Sequence, residues 1–228
     1  MTRKLVAVLA LALMASCGGN QPTVDAAKTL RDAAVAMAKL TTVSATLKFT
    51  KGAITFQGFT LVGAKTAVRL PADSDTTYTV KQGDISIGLE VIIAGGHVYL
   101  HVPFSTYQEL KGADAVAIPD LAKLFDPAKG LPAVIPAGRN PKYVITEKVD
   151  GVDAQKIGVT YSADQVKGML AQLSSTVDVN AQVWVGVSDH LIRKAILEGA
   201  FGDGGKDAAV EVDMSGFNAA VNIAPPSP

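Results

Sequence analysis

The stretch Val43-Ser44-Ala45-Thr46-Leu47-Lys48-Phe49-Thr50 alternates apolar and polar side chains without a break. Successive side chains of an extended chain point to opposite faces, so this pattern predicts a strand with one buried and one wet face. Upstream the period is different. Between Val24 and Leu40 the apolar residues fall at 26, 27, 30, 33, 34, 37 and 40. That i, i+3, i+4, i+7 spacing predicts a helix with one apolar side, most of it alanine. Downstream, residues 54–62, 66–70, 76–81, 85–94 and 97–102 read as further strands. Gly52, Gly63-Ala64-Lys65, the segment 71–75, Gln82-Gly83-Asp84 and Gly95-Gly96 read as the turns between them. Links this short require antiparallel neighbours.

Pro119-Asp120-Leu121-Ala122-Lys123-Leu124-Phe125 reads as a short helix with proline at its first position. Asp126 and Pro127 read as the cap and first residue of another, running through Leu131 toward Ile135. Strands resume at 142–149 and 154–161. Ser162 and Gln165 then have capping-box spacing, opening a helix with Val166, Met169, Leu170 and Leu173 on one face. Residues 179–187, 191–199, 208–213 and a short piece near Val221 close the pattern, and the tail Pro225-Pro226-Ser227-Pro228 cannot join a ladder. About ten strands and a few helices without a long linker predict an α+β fold: one large antiparallel sheet with helices packed on one face.

Several strands are more apolar than one buried face requires. Leu89, Val91, Ile92 and Ile93 put large side chains on both sides, as do Val183-Trp184-Val185 and Ile196-Leu197. Two explanations stand: a strand covered by helices on both faces, or a curved sheet whose concave face encloses apolar space.

The amino terminus has a different character. Arg3 and Lys4 precede an apolar run over residues 5–16 that contains no acidic residue. This is the layout of a signal peptide, and it is short of the about 20 residues a bilayer span needs. Leu13-Met14-Ala15-Ser16 then leads into Cys17, the only cysteine, followed by the flexible Gly18-Gly19-Asn20-Gln21-Pro22. The arrangement resembles a bacterial lipobox, in which the cysteine becomes the acylated first residue of the mature chain. The expected organisation is a lipoprotein signal peptide over 1–16, an anchored tether over 17–23 and one domain over 24–228. The alternative is a soluble exported protein with a stray cysteine in its leader.

Composition narrows function. Among 228 residues, 48% are hydrophobic and only 18% charged, which excludes a disordered charged tail. Basic and acidic residues both number 21, so no cationic excess exists to hold a phosphate backbone, and no nucleic-acid partner is expected. Three histidines make a thin catalytic inventory. His97 and His101 share one strand face about 13 Å apart, too far to ligate one zinc, so no metal is expected there. Ser188-Asp189-His190 contains the triad residue types, but triads are assembled in space, not from chain neighbours. Gly202-Asp203-Gly204-Gly205-Lys206 lacks the Ser/Thr and the helix of a phosphate loop. Tyr78 stands where a calcium loop beginning at Asp73 would need glycine. These readings point away from an enzyme and away from a bound cofactor.

The order of parts, with Asp126-Pro127-Ala128-Lys129-Gly130-Leu131-Pro132-Ala133-Val134, Val183-Trp184-Val185-Gly186 and Asp189-His190-Leu191-Ile192-Arg193, resembles the LppX/LprA/LprF/LprG family of actinobacterial (mycobacterial-type) lipoproteins. The segment 209–217 is similar to that family's last strand pair. The resemblance implies a half-barrel of the LolA/LolB type, its curved sheet covered by helices over an apolar cavity that holds acylated lipids or glycolipids. It further implies a monomer, anchored through Cys17 on the extracytoplasmic (periplasmic) side of the cell membrane, that carries lipid between plasma membrane and outer envelope beside a membrane lipid exporter. Strand alternation and helix faces nominate Phe49, Phe56, Leu61, Leu89, Val91 and Val98 as cavity residues. Leu100, Leu124, Leu131, Met169, Leu170 and Val185 complete the set, with an ordinary packed core as the alternative for each. A LolB-like acceptor of acylated proteins and a structural lipoprotein with a filled core are the competing functions.

Overall fold

The computed structural model describes residues 24–56, 58–169 and 175–226. Helix α1 (Ala26–Met37) comes first, its start capped by the Asp25 carboxylate, which accepts from the Lys28 N–H at 2.9 Å. Seven strands follow: β1 (Thr42–Lys51), β2 (Ile54–Phe56), β3 (Phe59–Arg69), β4 (Asp73–Gln82), β5 (Ile85–Ala94), β6 (His97–His101) and β7 (Gln108–Leu110). The chain then crosses the sheet as short helical pieces: α2 (Gly112–Val116), a 3-10 turn (Leu121–Phe125), α3 (Leu131–Val134) and a second 3-10 turn (Ile135–Ala137). After β8 (Arg139–Val149) and β9 (Val152–Tyr161) come α4, described over Ala163–Met169, and then β10 (Val179–Gly186), β11 (Ile192–Gly202) and β12 (Lys206–Ser215).

All twelve strands form one open, curved antiparallel sheet in the order β7-β6-β5-β4-β3-β1-β12-β11-β10-β9-β8, with β2 paired to β3 off this path. The first strand therefore pairs with the last: Leu47 lies opposite Val212 on one side and Ala64 on the other. Val43, Val68, Val80, Val91, Val183 and Val210 all point to the concave side and are buried there.

Two turns expected from the sequence are strand. Gly63-Ala64-Lys65 lies inside β3, because both β1 and β4 hydrogen-bond to it. The register slips between Leu61 and Gly63, and a Cβ at Gly63 would stand 2.6 Å from the Leu47 carbonyl oxygen. The glycine is a close approach between strands rather than a turn. Likewise Asp73 already opens β4, with buried Ser74 and Thr76 facing the core. The strand expected near Val221 is not one. Residues 218–223 cross the convex face as a strap: Thr42 Oγ1 donates to the Ala219 carbonyl at 2.6 Å, and Arg69 donates to the Ile223 carbonyl at 2.9 Å. Ile223 is buried there against Ile92 and Ala94. Asp126 caps a turn, accepting from the Ala128 and Lys129 N–H groups at 2.7 and 2.9 Å, and the helix begins only after Gly130.

The two-sided apolar strands are thus covered by different means. On the convex side β5 lies under the carboxy-terminal strap. In β10, Trp184 faces the same side. It donates to Glu147 at 2.6 Å and lies beneath the Lys156 and Lys194 ammonium groups, at 4.6 and 5.8 Å from the ring centre.

Candidate functional site

On the concave face of the four central strands, side chains are smaller than the space above them. Ala45 of β1, Ala64 and Thr66 of β3, and Ala195 of β11 stand among Leu47, Leu197, Val210, Val212 and Met214. Leu121, Leu124 and Phe125 of the first 3-10 turn, Leu131 of α3, and Val166 and Met169 of α4 form a roof. Between floor and roof lies a cavity of about 70 Å³. Its one lining hydroxyl, Thr66 Oγ1, is 2.8 Å from Thr76 Oγ1. A further void of about 40 Å³ shares Leu131, Met169, Ala195, Leu197 and Met214 and extends under Val134, Ile135 and Tyr161. Tyr161 donates to the Ile135 carbonyl at 3.1 Å, and burial pushes its phenol far above the ordinary range, so it stays neutral.

Local chemistry holds the roof in place. Asp120 accepts from the Ala122 N–H at 3.1 Å and starts the 3-10 turn, while Tyr78 reaches out of β4 to donate to the Pro119 carbonyl at 2.8 Å. Gly130 permits the next bend: a Cβ there would lie 2.4 Å from the Leu124 carbonyl oxygen. At α4 the capping box forms as its spacing predicts. Gln165 Oε1 accepts from the Ser162 N–H at 2.8 Å, and Ser162 Oγ accepts from the Gln165 N–H at 3.3 Å.

A second, more open groove of about 320 Å³ lies toward the β7 edge, lined by Phe59, Ile87, Leu89, Leu100, Val102, Leu110, Asp114 and Ile118. Of the nominated residues, Leu124, Leu131 and Met169 line the central cavity, and Leu89 and Leu100 line the groove. Leu61, Val91 and Val185 are buried in the surrounding core cluster, and Phe49 and Val98 pack against it. Phe56 lies in β2, paired with Phe59. Its side chain, Leu170 and Cys17 lie outside the described residues. Sequence reasoning missed the small residues Ala45, Ala64, Thr66 and Ala195. The available signal was a lack of bulk on inward positions of central strands.

The titratable groups are engaged elsewhere. His97 lies 2.8 Å from Glu109 and His101 3.3 Å from Glu90, both on the convex side. Asp189 accepts from the Leu191 N–H at 3.1 Å and pairs with Arg193, inside a turn rather than against a nucleophile. Among the described residues, no three His, Cys, Asp or Glu side chains come together to hold a metal ion, and no helix is long and apolar enough to cross a membrane.

A family model described as LppX_LprAFG lipoprotein matches residues 25–223. The chain belongs to this lipoprotein family. The match takes in every described strand and helix of the chain. The lipoarabinomannan carrier protein LprG of Mycolicibacterium smegmatis is 26% identical over 238 aligned residues, covering 99% of this chain and 96% of its own. LprG of Mycolicibacterium hassiacum is 29% identical, covering 87% and 89%. The crystal structure of LprF from Mycobacterium bovis superposes with a TM-score of 0.71 at 17% identity, covering 89% of this chain and 97% of LprF. LppX from Mycobacterium tuberculosis gives 0.62 at 20% identity, covering 87% and 97%. The family's open, curved sheet is the fold found here.

Proposed function

We propose that the protein is a lipid carrier, working without catalysis, that shields the acyl chains of a lipid or glycolipid in the concave cavity. In this reading residues 1–16 are removed, Cys17 carries the acyl anchor, and residues 17–23 tether the domain to the outer face of the plasma membrane. From there it passes lipid between that membrane and the outer envelope, beside a membrane lipid exporter. The observation that carries the reading is the floor of alanines beneath a roof of short helical pieces, a wall of apolar side chains without a charged group. Each methylene transferred from water to such a wall gains about 0.8 kcal/mol, enough in sum to hold a long chain that crosses water unshielded only slowly. The LprG relatives, named as lipoarabinomannan carriers, support the same class of ligand.

The cavity of about 70 Å³ is far smaller than the roughly 300–1,000 Å³ of ordinary ligand sites. Loading therefore requires the roof to lift from the sheet. The same small volume favours a second reading, a structural lipoprotein with a nearly filled core. Lipid extraction and mass analysis of the full-length protein, purified without detergent exchange, separates the two. Acyl lipid recovered in fixed ratio to protein, beyond the anchor's own chains, supports the carrier. Protein recovered repeatedly without it removes the carrier reading.

A further inference from the structure

The groove near the β7 edge opens onto a patch of side chains that a water-facing surface does not need. Along the concave face of β5, exposure falls in steps from Ile85 at 68%, through half-buried Ile87, to Leu89 at 5% and Val91 at 1%. An apolar stripe therefore runs without a polar interruption from solvent into the core. In β6 the half-buried Leu100 leads out to Val102, which is 39% exposed just beyond the strand. Two residues later Phe104, at φ 68° in the left-handed region that bulky residues avoid, holds its ring wholly in solvent. Leu100 stands opposite Val91, so the chain beyond β6 runs toward the start of β5, and Ile85, Val102 and Phe104 give that end of the groove an exposed apolar rim. Single exposed apolar residues are ordinary, but a cluster continuous with a cavity marks an interaction surface.

We infer that this rim docks onto a lipid bilayer and that the groove behind it is where acyl chains enter and leave. The inference rests on the carrier reading for its purpose and on the anchor at Cys17 for its occupant. The described residues begin at Val24, just before α1. Seven tether residues span at most about 25 Å, so an anchored domain is never far from a membrane surface. A protein partner would also cover the rim, but the tether places a bilayer within reach at every moment. Docking is driven by burial of the rim's apolar side chains.

The test uses the whole mature polypeptide from residue 17 carrying Cys17→Ser, mixed with vesicles of equal parts phosphatidylcholine and phosphatidylglycerol and floated on a density gradient. The unacylated protein is expected to float with the vesicles, and to go on doing so at about 1 M salt, where charge attraction is screened within a few ångströms. The double variant Ile85→Ser, Phe104→Ser is expected to float about tenfold less, because two anchors of an interfacial surface are gone. Its thermal midpoint is expected to match the parent, since both side chains stand largely in solvent. Its recovered lipid is expected to fall, since chains enter through the docked groove. A full lipid load in a variant that no longer floats overturns the entry role. A parent that does not float, binding that salt alone abolishes, or a double variant that floats like the parent each overturns the docking surface. Lipid recovered from a protein that does not float leaves the carrier reading standing. Floating protein from which no lipid is ever recovered removes the carrier reading and leaves the docking surface standing.

Discussion

Val91 and Ile92 are consecutive residues of β5, and each is buried in a different hydrophobic cluster. Val91 belongs to the large cluster on the concave side, and Ile92, only 8% exposed, packs with Ala94 and Ile223 on the convex side. Over residues 91–94 the strand is buried on both faces, because Ile223 from near the end of the chain covers the outer one. Val91→Trp and Ile92→Trp are both overpacking changes, each expected to cost about 1–3 kcal/mol in thermal or urea unfolding. They part in what they loosen. Ile92→Trp is expected to raise amide exchange in 218–223 at least severalfold, and Val91→Trp to leave it unchanged. Equal protection of that segment in the two variants would count against the strap.

Asp75 lies on the convex face of β4, where burial first and the nearby Glu90 second hold its carboxyl above the ordinary value of 3.8. A raised folded-state pKa means that the protonated form is the one the fold favours. The contribution to stability is present below 3.8 and is lost as pH rises through the folded value. Asp75→Asn, which keeps the shape without the charge, is expected to raise stability at neutral pH. The gain should shrink as pH falls toward and below the ordinary carboxylate value. Urea unfolding at several pH values checks it, and a gain that grows with acidity contradicts it.

Ala195 lines both the central cavity and its extension. Ala195→Leu places added methyl groups into existing space, so the thermal midpoint is expected to hold or rise slightly. If acyl chains occupy that space, lipid recovered per protein should fall by more than about half, as expected when apolar volume is already filled. A full lipid load in a folded Ala195→Leu protein would place the ligand elsewhere.

Anchoring through Cys17 is tested by Cys17→Ala behind a leader that does not need the cysteine for cleavage. Stable attachment takes two acyl chains or an equivalent second signal, so removing all of them is expected to move the protein from washed membranes to the soluble fraction. Circular dichroism should remain that of the parent, because the described fold begins at Val24. Retention in washed membranes would mean that another segment holds it there.

What the sequence conveys and what it hides follow the range of the interaction. The alternation from Val43 to Thr50 falls inside β1, Thr42–Lys51, and the Ser162–Gln165 box is local chemistry that the chain performs on itself. Gly63 misleads because the carbonyl of Leu47, which requires a residue without a Cβ there, is brought by a strand sixteen positions away. The outer cover of Ile92 is hidden for the same reason, since Ile223 arrives from the far end of the chain. Cavity residues escape detection on other grounds. Pattern reading searches for large apolar side chains, and it finds Leu124, Leu131 and Met169, but a void exists where Ala45, Ala64 and Ala195 fail to fill it.

The seam between β1 and β12 also sets an order of assembly. Ser44 meets Ser215, so a chain emerging amino terminus first presents β1 with one edge unpaired until nearly every other residue has appeared. Contacts so distant in sequence form slowly, and an unpaired edge is a template for another chain. A polypeptide clipped before residue 206 would keep two half-sheets and lose the strand that joins them. Quality control of the newly made protein therefore reduces to one late event, the arrival of the last strand. Damage that removes β12 should leave aggregating material rather than a partly working domain.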